Sequence, residues 1–157
     1  MYLSEVKALA IEPAYALLPA RMESDAATVL LLAIGLQVSR FEHRRQIGGP
    51  ARGFWQFESG GGVRGVLTHP TTRAHARALC EARGVPASVS AVYSAIEQDD
   101  VLAAGFARLL LWSDPLPLPA LDRTEAAWNL YMRTWRPGKP KRHTWDAFHQ
   151  QAVEATA

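Results

Sequence analysis

Two acids, Glu42 and Glu58, are the only carboxylates between Phe41 and Glu81, and none occurs from Ala26 to Phe41. Around them stand the residue types that a polar site would draw on: Ser39, His43 and Gln56, with the aromatics Phe54, Trp55 and Phe57 interleaved. A carboxyl group facing apolar neighbours is held protonated by desolvation and can serve as an acid, whereas one among cations stays ionised. Glu42, flanked by Arg40, His43, Arg44 and Arg45, is of the second kind. Glu58 follows the aromatic run and precedes Gly60–Gly62, so it is either a solvated loop acid or an acid turned into a cleft. The Gln56 amide can both donate and accept hydrogen bonds. A nucleophilic Ser39 would need a positioned base that no spacing here supplies, so its expected task is a local backbone hydrogen bond.

Other chemistries lack their patterns. His43, His69 and His75 form neither H-E-x-x-H nor H-x-x-E-H, and Cys80 is the single cysteine, so neither a metal site nor an intrachain disulfide is expected. The glycines are not followed by G-K-[ST], so no nucleotide is implied, and no cofactor is expected. A net charge of +2 from 17 basic and 15 acidic residues argues against nucleic acid as a partner, because that binding needs a concentrated basic face. The basic residues form two groups, Arg40, Arg44, Arg45 and Arg52, and Arg133, Arg136, Lys139, Lys141 and Arg142. Either group is a solvated face or a source of long-range attraction for an acidic polymer.

The elements that must hold these residues read as mainly α. A chain of 157 residues, 48% apolar, is long enough for one well-formed core, and no linker divides it, so residues 1–157 form one expected domain. Leu3–Ala10 and Ala14–Leu18 read as short helices interrupted near Pro13. Ser24 or Asp25 caps a helix to about Phe41 whose apolar residues lie all round the axis, the signature of a buried central helix. The segment from Arg44 to His69 holds seven glycines in 26 residues without helical period, and reads as a functional Gly-rich loop or a small irregular β region. Helices then follow from Thr71 or Thr72 to Arg83, from Pro86 to Glu97, from Val101 to Trp112, from Asp122 to Trp135, and from Thr144 onward. A capping box is expected between Asp122 and Glu125. The apolar run Ala26–Val38 is too short for a membrane span, so no integral membrane segment is expected. The opening residues lack a signal-peptide pattern, which points to synthesis in the cytoplasm. A monomer is expected.

The long buried helix, the polar break LQVSRFEHRRQ (Leu36–Gln46) and the loop GPARGFWQFE (Gly49–Glu58) together resemble the lysozyme-like superfamily. Within it, the likeness is to phage and bacterial peptidoglycan-cleaving domains of the lytic transglycosylase and endolysin type. Trp128 and the WRPGKP segment (Trp135–Pro140) are similar to phage-encoded members. The resemblance implies cleavage of the β-1,4 bond between N-acetylmuramic acid and N-acetylglucosamine, with peptidoglycan glycan strands as the partner. It implies that Gln56 and Trp55 line the sugar cleft, with Ser39 and His43 beside it; from the residues alone, Gln56 is equally a loop-bracing amide, and Trp55, between Phe54 and Phe57, is equally a core residue. Delivery to the wall would come from a phage holin, a virion or a secretion route.

The family's catalytic glutamate would stand at Val38. A valine cannot protonate a glycosidic oxygen, and cleavage needs a proton donor at the leaving group. The resemblance therefore implies a wall-directed domain whose activity is impaired, or a noncatalytic peptidoglycan-binding or structural relative, or an enzyme in which another carboxylate has taken over. Glu42 sits one turn on from Val38, about 5.4 Å along a helix axis, which is far too coarse a displacement for a proton donor. Glu58 could serve as a second carboxylate, as a hydrogen-bonding group for sugar, or as the replacement acid. If the carried-over site is real, the Val38 side chain opens into a groove beside Gln56; a side chain buried between helices would exclude it.

Overall fold

The computed structural model describes residues 1–157, and the chain folds almost entirely into helices. The first three turns run through α1 (Leu3–Val6), a wide π turn (Lys7–Ile11) and α2 (Glu12–Ala16). Pro13 does not interrupt this helix, contrary to the sequence expectation. Proline removes one backbone donor and crowds the preceding turn, and the π turn ahead of it widens the coil, with Glu12 N–H reaching back to the Lys7 carbonyl.

Next comes α3 (Asp25–Ser39), capped by the Ser24 side chain, which accepts from Ala27 N–H at 3.1 Å. From Ala27 to Leu36 every residue of α3 is buried, as its all-round apolar pattern predicts. It is followed by α4 (Arg64–Thr68), α5 (Arg73–Ala82), α6 (Val89–Ile96), α7 (Asp100–Trp112), α8 (Thr124–Trp135) and α9 (Arg142–Thr156). The long helix α9 lies along α3, and α7 is the second buried helix, packed against the first π turn, α2, α3 and α5. No helix is long and apolar enough to cross a membrane.

The expected β region is absent. The Gly-rich segment contains no strand, only two isolated antiparallel bridges, Arg45 to Arg52 and Arg52 to Phe57. Left-handed backbone at Gly48, Gly53 and Gln56 turns the chain too often for a ladder to extend. Its second half is helical, a π turn (Ser59–Val63) running into α4. Helix starts also shift: Ser88 rather than Pro86 begins α6, and α8 starts at Thr124 without a side-chain cap. Glu125 pairs with Arg142 at 2.5 Å, and the capping box expected with Asp122 does not form.

Candidate functional site

Helix α3 ends in an unusual way, and the ending positions the site. Arg40 (φ 56°) and Phe41 (φ 54°) both adopt left-handed backbone, which is costly for side chains of this size. Three contacts hold them there. Arg40 N–H donates to the Gly35 and Leu36 carbonyls at 3.1 and 3.0 Å. The buried Ser39 hydroxyl donates to the Phe54 carbonyl at 2.6 Å and accepts from Phe41 N–H at 3.1 Å. The Phe41 ring then folds back over Gly35, so closely that a Cβ there would lie 2.0 Å from Phe41 Cζ. The chain reverses immediately after Val38, leaving that side chain half-buried on the last turn of α3.

Val38 lines an open cavity of about 600 Å³ with Gln56, Glu58, Tyr131 and Trp135. A second cavity of about 780 Å³ shares Glu58, Trp135 and Arg136 with the first, so the two form lobes of one groove with Glu58 at their junction. Gln56, itself left-handed at φ 54°, donates its amide to the Gly53 carbonyl at 2.8 Å and leaves its side-chain oxygen without a protein partner. Glu58 is exposed and pairs with no cation.

The opposite wall is the end of α8 and the turn that follows. Trp135 Nε1–H donates to the Trp55 carbonyl at 2.9 Å, and its ring meets Phe57 edge-on at 6.0 Å. Gln37 donates to the Lys141 carbonyl at 2.9 Å while accepting from the Thr144 hydroxyl at 2.9 Å, which ties the Arg136–Lys141 turn to α3. Tyr131 stacks on Trp145 at 5.6 Å and 10°. Burial pushes the Tyr131 phenol up to about 12, so it faces the groove as a neutral donor. Arg136, Lys139 and Lys141 line the Val38 lobe, and none of them pairs with a carboxylate. That lobe therefore carries three cations and a single acid.

Val38, Gln56 and Glu58 are brought together; the other sequence candidates are not. Trp55 is fully buried, its indole donating to the Leu31 carbonyl at 2.8 Å, so it offers no face to a sugar. Ser39 is buried in the helix-ending network and reaches no solvent-filled space. His43 lies on the exposed loop, 3.9 Å from Glu42, and neither lines the groove. The first arginine cluster is largely an internal clip. Arg44 pairs with Asp100 at 2.8 Å, and Arg45 and Arg52 converge on Glu97 at 2.6 and 3.4 Å.

Tyr131 and Gln37 were not among the sequence candidates, although Trp128, Tyr131 and Trp135 recur at helical spacing that would have set them on one stripe. No group of three or more His, Cys, Asp or Glu side chains is arranged to hold a metal ion. Chemically, the groove can hydrogen-bond a neutral polar chain and attract negative charge, but it has no acid on the turn where Val38 stands. Compared with protein-family models, curated proteins and solved structures, the chain matches none.

Proposed function

We propose that the chain is a peptidoglycan-directed, lysozyme-like domain that holds a glycan strand in this groove and is impaired in cleaving it because Val38 stands where the general acid belongs. The observation that carries this reading is that Val38, half-buried against the core, also lines the open groove beside Gln56 and Glu58. Four non-glycine residues have left-handed backbone; two of them, Gln56 and Arg136, line the groove, and the other two, Arg40 and Phe41, end the helix that carries Val38. Such strain gathers where geometry serves a site. The free Gln56 oxygen and the neutral Tyr131 phenol suit hydroxyl and N-acetyl groups. The unpaired Arg136, Lys139 and Lys141 suit the carboxylates of a wall polymer.

Glu58 is the only carboxylate of the Val38 lobe, and Asp114 in the second lobe is held by Arg133, which favours the binding reading over turnover. Cleavage requires a proton at the leaving oxygen, and one exposed carboxylate cannot supply both acid and counter-charge. The test is release of soluble fragments from purified peptidoglycan by this chain and by Val38→Glu, together with co-sedimentation of each with the insoluble polymer. Both proteins are expected to sediment with the wall, and only Val38→Glu to release fragments. Equal vigorous release by both would move the acid to Glu58. Failure of both to sediment would sink the glycan reading.

A further inference from the structure

A further cavity of about 400 Å³, adjoining the second lobe of the groove through Asp114 and Pro115, lies against the end of α7 and the proline-rich segment after it. Its volume falls within the range of about 300–1,000 Å³ typical of small-molecule sites. One side is apolar, made by Leu111, Trp112, Leu116 and Leu118. Leu116 is 58% exposed, an uncovered leucine facing this space. Arg108, which is only 2% exposed, lines the cavity beside Trp112.

Arg108 is poorly compensated for a buried cation. Its Nε–H donates to the Met22 carbonyl at 2.7 Å, but Nη1 is buried without any hydrogen-bond partner. Arg108 pairs with no carboxylate, and neither does Arg21. Both guanidinium carbons sit 5.5 Å from the Trp112 ring, so one indole serves two cations. Asp114, the acid on this cavity, is engaged bidentately by Arg133 at 3.0 and 3.1 Å. A buried charge with an open donor costs several kcal/mol unless an anion meets it. Burial also holds the guanidinium below its ordinary value, the mark of a group lacking a counter-charge.

We propose that this cavity binds a small monoanion with an apolar body, a medium-chain carboxylate, whose carboxylate meets Arg108 while its hydrocarbon part covers Leu116, Leu118 and Trp112. Nε is taken by Met22 and Nη1 is enclosed, so Nη2, which has no protein partner, is the charged donor left for a carboxylate oxygen, and the leucine wall selects against a bare inorganic anion.

The test is an NMR titration of the full chain with octanoate, following the Arg108 Nε–H and Trp112 Nε1–H signals, with acetate and octanol as paired probes. Octanoate is expected to shift both signals saturably, and acetate and octanol to bind at least about tenfold more weakly, since each lacks one half of the recognition. Arg108→Met should abolish the Trp112 shift. Leu116→Asp, at an exposed position that leaves the fold intact, should weaken octanoate at least about tenfold by removing apolar cover and adding like charge. Acetate binding as well as octanoate would overturn the apolar half of the site, and octanol binding as well as octanoate would overturn the role of Arg108. Undiminished octanoate binding by Leu116→Asp, or no shift of either signal at millimolar octanoate, would overturn the proposal whether or not Arg108→Met folds.

Discussion

Trp135 donates its indole hydrogen to the carbonyl oxygen of Trp55 at 2.9 Å, across 80 residues of chain. This one bond joins the far wall of the groove to the segment that carries Gln56 and Glu58. On its other side Trp55 is anchored to α3 through the Leu31 carbonyl, so the wall, the loop and the central helix form one mechanical unit. The width of the groove is set by buried side chains rather than by its exposed rim.

Trp135→Phe keeps the apolar ring against Phe57 but leaves the Trp55 carbonyl unpaired. A loss of about 1–3 kcal/mol in stability is expected, the usual cost of an orphaned buried acceptor. Chemical denaturation measures it. A change below a few tenths of a kcal/mol would mean that water replaces the indole without penalty.

Ser39→Ala tests the helix ending. The Ser39 hydroxyl both donates to the Phe54 carbonyl and accepts from Phe41 N–H, so its removal strands two buried backbone groups. The expected cost is about 1–3 kcal/mol, with faster hydrogen exchange at Phe41. Unchanged exchange there would show that the left-handed pair Arg40–Phe41 holds its conformation without the serine.

Gly35→Ala should be worse than its size suggests. The added methyl would meet the Phe41 ring at 2.0 Å, and Phe41 cannot swing away without giving up its packing against Phe54 and Trp55, each at 5.5 Å. Overpacking of this kind costs about 1–3 kcal/mol or more. A melting temperature equal to that of the unaltered chain would sink the close-approach argument.

The sequence made α3 and its burial legible because the apolar residues of Ala27–Leu36 lie all round the axis and leave no surface face, and Ser24 marks the start. It also made legible that Val38, Gln56 and Glu58 belong together, although only through a resemblance of motif. It did not show that Trp55 is core. Phe54, Trp55 and Phe57 read alike in a glycine-rich segment, and all three turn inward around the left-handed residue Gln56. The β region was a misreading of the same glycines, which here serve turns and a π turn in place of a ladder. The helical spacing of Trp128, Tyr131 and Trp135 marks a stripe, but that this stripe and Gln37 meet at the groove rests on contacts between helices distant in sequence.

The Arg45–Glu97 pair gives an acid-side prediction. The Arg45 guanidinium, hydrogen-bonded to Glu97, holds that carboxyl below its usual value. A depressed carboxylate contributes stability that is present above its unfolded value and is lost as pH falls through the folded one. The clip between the Gly-rich loop and the end of α6 should therefore loosen in acid. Hydrogen exchange at Arg52 and Phe57 is expected to quicken as Glu97 protonates, and Glu97→Gln to show the faster exchange already at neutral pH. Identical profiles for the two proteins would remove the clip from the account.

Tyr131 gives the alkaline counterpart. Burial raises its phenol from 10.0 to about 12, so the folded state keeps the proton through a range in which the unfolded chain has released it. The contribution is complete below the unfolded value and is lost as pH rises through the folded one, on the order of 3 kcal/mol at about 1.4 kcal/mol per unit. Tyr131→Phe removes a hydroxyl that has no protein hydrogen-bond partner, so stability at neutral pH should hardly change. The decline between about pH 10 and 12 should become shallower than in the unaltered chain, as read by melting temperature across that range. The remaining slope belongs in part to Tyr15, which burial also raises and which bonds to Thr28 at 2.9 Å. An alkaline decline identical in both proteins would show that Tyr131 ionises as freely folded as unfolded, and that its burial does not protect the phenol proton.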